Sequence, residues 1–208
     1  MEKERNKLFY FDEDTHTYWS KGKRIPSVSQ ILSATLFKNK YKDVPPAVLN
    51  AAAEFGTNVH YAIETDTYFF LSDQEYRVYN WWKEIEKENY IIVKEQEQKV
   101  FNQELWYAGT YDAIAVVMGY YSLIDFKTTY ELDIEYLSWQ LSMYAYGNQV
   151  VEKNGIIELL DIKEFDKYFV VWLPKRKKGE VVEIPKKSYQ EIEWLVNKYK
   201  EEQKWTNY

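Results

Sequence analysis

Cysteine is absent from the 208 residues, which removes disulfides, thiolate zinc sites, iron–sulfur clusters and a cysteine nucleophile together. Histidine is nearly absent too: His16 and His60 are the only two, so any imidazole chemistry rests on one of them. The 7 glycines form no Gly-x-x-x-x-Gly-Lys loop and no Gly-x-Ser-x-Gly elbow. Neither a phosphate-cradling nucleotide loop nor a serine-hydrolase nucleophile is therefore written in the chain. No run of 18 apolar residues occurs, and the start (Met1, Glu2, Lys3, Glu4, Arg5) is polar rather than signal-like. These absences lead to the expectation of a cytoplasmic protein with no membrane partner.

What is present suits a folded enzyme. Hydrophobic residues make up 46% and charged residues 29%, enough for one sizeable core, so residues 1–208 are read as a single domain. The aromatic share of 18% reads mainly as core and strand packing, with Trp19, Tyr107 and Tyr111 as candidates for base stacking. A net charge of −6 argues against a protein that coats nucleic acid but leaves room for a local phosphate grip. The local basic clusters are Lys21, Lys23 and Arg24; Lys38, Lys40 and Lys42; and Lys175, Arg176, Lys177 and Lys178.

Periodicity supplies a layout. Leu8 to Ile25 alternates like a hairpin or meander, with His16 as a strand residue or turn stabiliser. Ser27 and Gln30 have capping-box spacing, opening a helix to about Leu36. Pro45 and Pro46 begin a long helix to about Phe70, and Asp73 to Lys87 forms another. Strands are expected over 90–101, 105–117 and 120–126, with Met118 and Gly119 as the turn between the last two. An amphipathic helix over 133–150 follows, then strands over 168–173 and 180–184 and a closing helix from Ser188 to about Gln203. The class is α/β (α+β): a central mixed β-sheet flanked by helices.

The chemistry concentrates in Ser122-Leu-Ile-Asp125-Phe-Lys127. Asp125 and Lys127 are two apart on a strand and share a face. Asp112, 13 residues earlier, comes from the neighbouring strand. Two carboxylates and a lysine at the end of an apolar run are costly without a use. Carboxylates invite a divalent cation, and the ammonium can hold an anionic oxygen or a water, a combination suited to phosphodiester hydrolysis. His60 lies in the long helix, with Glu64 one turn on either as an acceptor that orients the imidazole or as a solvent-facing acid. Gln140 and Tyr144 share a face of the later helix.

These residues fall into Gly56-x-x-x-His60, Gly109-x-x-Asp112, Asp125-x-Lys127 and Gln140-x-x-x-Tyr144. In that order the set resembles the RecB-like exonuclease branch of the PD-(D/E)XK nuclease superfamily. Arg24-Ile-Pro-Ser-Val-Ser-Gln-Ile-Leu32 also resembles a helix start found in phage exonucleases and in the exonuclease of mitochondrial genome maintenance. The resemblance implies a restriction-endonuclease-like core and Mg²⁺ or Mn²⁺ held by His60, Asp112, Asp125 and the Phe126 carbonyl. It implies Lys127 as activator of water and stabiliser of charge, Gln140 as its helper and Tyr144 as support for that helix face near DNA. No iron–sulfur cluster accompanies it.

The activity expected is metal-dependent DNA exonucleolysis at linear or single-stranded ends. The alternatives are a structure- or sequence-specific endonuclease on the same fold and an inert nucleic-acid-binding module. DNA is the expected partner, with Lys175, Arg176, Lys177 and Lys178 as a backbone grip. A recombination, annealing or replication protein is a further partner by analogy. A homo-oligomer is compatible with the small size, and a phage-encoded chain would work in the host cytoplasm.

Overall fold

The computed structural model describes residues 7–205, so the polar N-terminal stretch lies outside it. A small sheet comes first: β1 (Tyr10–Asp12), β2 (Thr17–Ser20) and β3 (Lys23–Ile25), paired antiparallel as the expected meander. His16 sits in its first turn with φ 48°, its ring edge-on to Phe11, so it serves as a turn residue. Helix α1 (Val28–Ala34) begins with the expected capping box: Gln30 N–H donates to Ser27 Oγ, and Ser27 N–H donates to Gln30 Oε1.

Helix α2 (Pro46–Thr65) has Pro46 in its first turn, where proline's missing N–H and fixed φ are tolerated. It stops five residues before the expected Phe70, because Asp66 adopts a left-handed φ of 52°. Helix α3 (Asp73–Glu88) carries a second capping box, Ser72 with Glu75. The buried Glu75 also accepts from Asn58 Nδ2 at 2.8 Å, which ties α3 to α2.

A seven-stranded sheet forms the centre. Its strands are β4 (Ile92–Asn102), β5 (Tyr107–Val117), β6 (Tyr120–Lys127), β7 (Asn148–Lys153), β8 (Ile156–Leu160), β9 (Lys167–Trp172) and β10 (Glu180–Ile184). They lie in the order β10-β9-β6-β5-β4-β7-β8, antiparallel except for the β6–β9 pair. The β5–β6 turn has Met118 at φ 50° and Gly119 at φ 90°, as a tight two-residue hairpin requires.

Helix α4 (Ile134–Ala145) precedes β7, and α5 (Tyr189–Trp205) closes the described chain. The expected helix over 133–150 is corrected: it ends at Ala145, and 148–160 is the β7–β8 hairpin. Asn154 (φ 52°) and Gly155 (φ 78°) make its turn, an Asn-Gly signal flanked by β-branched residues.

Helices cover both faces of the sheet. Residues of α2 and α3 (Val59, Ala62, Val78, Trp82) pack with Ile124, Phe126 and Val171 on one face. Residues of α1, α4 and α5 (Ile31, Leu141, Leu195) pack with Leu123 and Val170 on the other. Fully burying side chains of this size stabilises by about 1.5–3 kcal/mol each. The small sheet packs Tyr18 and Ile25 against Phe101 and Ala108 at one end. The result is a mixed α+β fold with helices flanking a mixed sheet. Among the described residues no helix is long and apolar enough to cross a membrane.

Candidate metal centre

The centre of the site is a place where two strands part. β5 and β6 pair as far as Ala113↔Ile124. Beyond that point β6 continues beside β9 (Asp125↔Val170, Phe126↔Val171, Lys127↔Trp172), while β5 continues beside β4. A separating strand leaves N–H groups needing partners. Asp112 supplies one, its Oδ2 accepting from the Phe126 N–H at 2.7 Å. The carboxylate thus stands in for a ladder bond and is held at the fork.

The backbone of β5 changes phase at the same residue. Tyr107 and Tyr111 face the layer of α1 and α4, whereas Ala113, Ala115 and Val117 face the layer of α2 and α3. Odd-numbered residues therefore switch faces across Asp112. Opposite it, between the pairs Gln96↔Ala113 and Gln98↔Tyr111, stands Glu97 with φ 50°. A non-glycine residue in that region costs about 1–3 kcal/mol and marks a constrained position.

The distortion brings three ligand groups together. One ligand atom each from His60, Glu97 and Asp112 lies within 4.8 Å of the others. His60 Nδ1 is 3.6 Å from Asp112 Oδ2, so the carboxylate nearest the imidazole is Asp112. Glu64 is exposed and is not that partner; its charge instead acts on Glu97. Glu97 was not expected from the sequence. Burial, then the charges of Asp112, Glu64 and Asp125, push its carboxyl up to about 7 against the pull of Lys99.

Asp125 and Lys127 form a neighbouring pair at 2.5 Å, with the Asp125 side chain only 2% exposed. Asp125 stands outside the three-residue cluster, although its charge is felt there. Burial pushes its carboxyl up to about 6, against the opposing pull of Lys127. For Lys127 burial acts downward, but the Asp125 and Asp112 charges outweigh it and hold the ammonium charged above the usual lysine value. The Phe126 N–H is bonded at the fork, and its ring lies edge-on to His60 at 5.9 Å.

The remaining motif residues assemble around this fork. Gln140 Nε2 donates to the Tyr144 hydroxyl at 3.0 Å, while Gln140 Oε1 is buried with no hydrogen-bond partner among the described residues. An unpaired buried acceptor of this kind is ready for a water or an ammonium. Each motif glycine marks a close approach. A Cβ on Gly109 would stand 2.4 Å from Tyr144 Cε1, and one on Gly56 would meet Thr128 Oγ1 at 3.3 Å. The α1 start belongs to the same assembly, since Pro26 O accepts the Ala108 N–H at 3.0 Å.

Other expected positions separate. Tyr107 and Tyr111 are fully buried, so they are packing residues and not stacking platforms. The Trp19 indole N–H donates to Thr17 Oγ1 within the small sheet. In the basic run, Lys178 is paired with Glu84 and Glu88 at 2.8 and 2.7 Å, whereas Lys175, Arg176 and Lys177 line a groove beside Thr128. The chain matches no protein-family model, and no curated protein matches it.

Proposed function

We propose that the protein is a divalent-metal-dependent deoxyribonuclease of the PD-(D/E)XK type, acting as an exonuclease on linear or single-stranded DNA ends. The observation that carries this reading is the convergence of His60, Glu97 and Asp112 within 4.8 Å, next to the Asp125–Lys127 pair. One imidazole and two carboxylates suit Mg²⁺ or Mn²⁺, the nitrogen favouring Mn²⁺. Glu97 is added to the ligands expected from the sequence, and Asp125 acts from beside them. A cation held there would supply positive charge to a phosphodiester oxygen.

The chain's own groups divide the remaining work. Asp112, fixed by the Phe126 N–H, holds its oxygen toward His60. Lys127 keeps its proton and offers an N–H to the attacking water or to charge developing at phosphorus. Asp125 holds that ammonium in place. Gln140, anchored through Tyr144, keeps a buried Oε1 in reserve as an acceptor.

End-labelled linear DNA and covalently closed circular DNA, each incubated with Mg²⁺ or Mn²⁺, test the reading. Metal-dependent release of nucleotides from the linear form alone, lost in Lys127→Ala, is the expected result. Cleavage of the circle would make the protein an endonuclease, and no cleavage of any DNA with either metal would sink the proposal.

A further inference from the structure

A groove of about 830 Å³ opens beside the fork, between the first turns of α2, the β6–α4 connection and the β9–β10 loop. Val48 and Ala52 form one wall, Tyr130 and Trp172 the aromatic surface, and Lys175 to Lys177 the rim. Its position is set by the sheet: Trp172 is the register partner of Lys127, and Leu173 N–H donates to the Lys127 carbonyl at 2.7 Å. Thr128, the next residue, lines the groove directly.

Its chemistry combines two features. Three cations (Lys175, Arg176, Lys177) stand against one carboxylate, Glu131, which favours a polyanion. The surface within is apolar and aromatic. Trp172 is held by its indole N–H donating to Thr129 O at 2.8 Å, and Lys177 Nζ lies 4.4 Å over its ring. Tyr130 is 79% exposed and thus has an uncovered ring. A base inside a duplex has both faces covered by its neighbours and offers only its edges. Aromatic faces in a groove can therefore be met only by a base that has left the stack.

Resting on the nuclease reading for the position of the phosphate, we propose that this groove is a nucleobase subsite. It takes one unstacked base of a single DNA strand whose phosphate lies at Lys127, and so selects unpaired strands over duplex. Tyr130 supplies the stacking face, Trp172 beneath Lys177 forms the wall beside it, and Lys175 to Lys177 hold the flanking backbone.

The test is fluorescence anisotropy of labelled oligothymidylate in chelator, so that nothing is cut, with a single abasic position moved along the strand. In the wild-type protein one abasic position should weaken binding roughly tenfold, within the range of a lost base–aromatic stack. Tyr130→Ala and Ala52→Glu change exposed residues and should keep the wild-type melting temperature. In these variants intact oligonucleotide should bind roughly tenfold more weakly, and the abasic penalty should vanish. A flat abasic scan, a penalty that persists in both variants, or no binding of single strands would overturn the subsite. Cleavage is measured separately with Mn²⁺. Protein that shows the position-specific penalty yet cuts nothing overturns the nuclease reading alone, whereas protein that cuts with a flat scan overturns the subsite alone.

Discussion

Two groups of charged side chains meet where β5 and β6 part, and they balance their charge in opposite ways. Asp125 is buried and carries its own cation, Lys127, at 2.5 Å. His60, Glu97 and Asp112 are each partly exposed and bring two acids together with one imidazole. The first group is complete within the chain. The second accumulates negative charge in a half-buried place, and burial first, then the charges of Asp112, Glu64 and Asp125, push the Glu97 carboxyl up to about 7. Lys127 does for Asp125 what an added cation would do for the cluster, so the two groups should respond differently to substitution, to metal and to pH.

The largest effect should come from Lys127→Ala. Removing a preorganised donor to developing charge lowers cleavage by about 10²–10³-fold. Because Lys127 is outside the cluster, calorimetric Mn²⁺ affinity should change only a few-fold; equal loss of both would erase the distinction between the groups. The variant should also gain a pH dependence of stability. The Asp125 carboxyl, already raised by burial, rises further without its ammonium. A raised folded-state value means stabilisation that is present below the ordinary value of 3.8 and lost as pH rises through the folded one. Thermal midpoints of Lys127→Ala relative to wild type should therefore fall as pH is raised from 4 through and beyond about 6.

Glu97→Gln should do the reverse. It should weaken Mn²⁺ binding by roughly 10–100-fold, the scale associated with loss of a partner at a metal site, while leaving the Asp125–Lys127 pair in place. The metal-free wild type should lose stability relative to this variant as pH rises from 4.5 to about 7, because the raised Glu97 carboxyl is then forced to ionise. Divalent metal should cancel that loss. Melting curves across this range with and without Mn²⁺ decide it, and a difference that is flat with pH would show Glu97 already ionised.

The motif glycines sharpen the comparison structurally. Gly109→Ala puts a methyl 2.4 Å from the Tyr144 ring, which is buried and bonded to Gln140. Overpacking of this kind costs about 1–3 kcal/mol, read as a fall of about 2–4 °C in melting temperature per kcal/mol. Gly56→Ala meets only Thr128 Oγ1 at 3.3 Å and gains helix propensity, worth up to about 1 kcal/mol. Its stability should therefore stay close to wild type.

The residues that could be read in the sequence are those whose geometry is local. Asp125 and Lys127 share a face because a strand alternates, and Ser27 with Gln30 closes a capping box because a helix turn has fixed reach. Glu97 could not be found that way. It lies in Lys94-Glu95-Gln96-Glu97-Gln98-Lys99, where alternation separates no apolar face from a polar one. A register shift between Val93 and Glu95 and the left-handed Glu97 then spoil the counting. Glu95, two residues away, is spent on Tyr111 and Gln149 instead. The β7–β8 hairpin had a local signal, Asn154-Gly155, but the amphipathic stripe of α4 runs into it and hid the stop at Ala145. Whether Lys178 faces DNA or a neighbouring acid depends on where α3 packs, which no local pattern encodes.

That last point yields the smallest expected effect and the cleanest contrast within one loop. Lys178 is held between Glu84 and Glu88, so its charge is already balanced by the protein. Lys175 lies over the Phe55 ring and Lys177 over Trp172, contacts that a phosphate can replace without leaving a carboxylate unpaired. Each phosphate contact to a single strand contributes about 0.7 to the slope of log affinity against log salt. Replacing Lys175 and Arg176 together by alanine should therefore lower that slope by about 1–1.5. Lys178→Ala should leave it unchanged, because a lysine already paired with Glu84 and Glu88 contacts no phosphate and adds nothing to the counterions released on binding. Equal slopes for the two variants would place Lys178 at the DNA and would mean that its ion pairs open on binding.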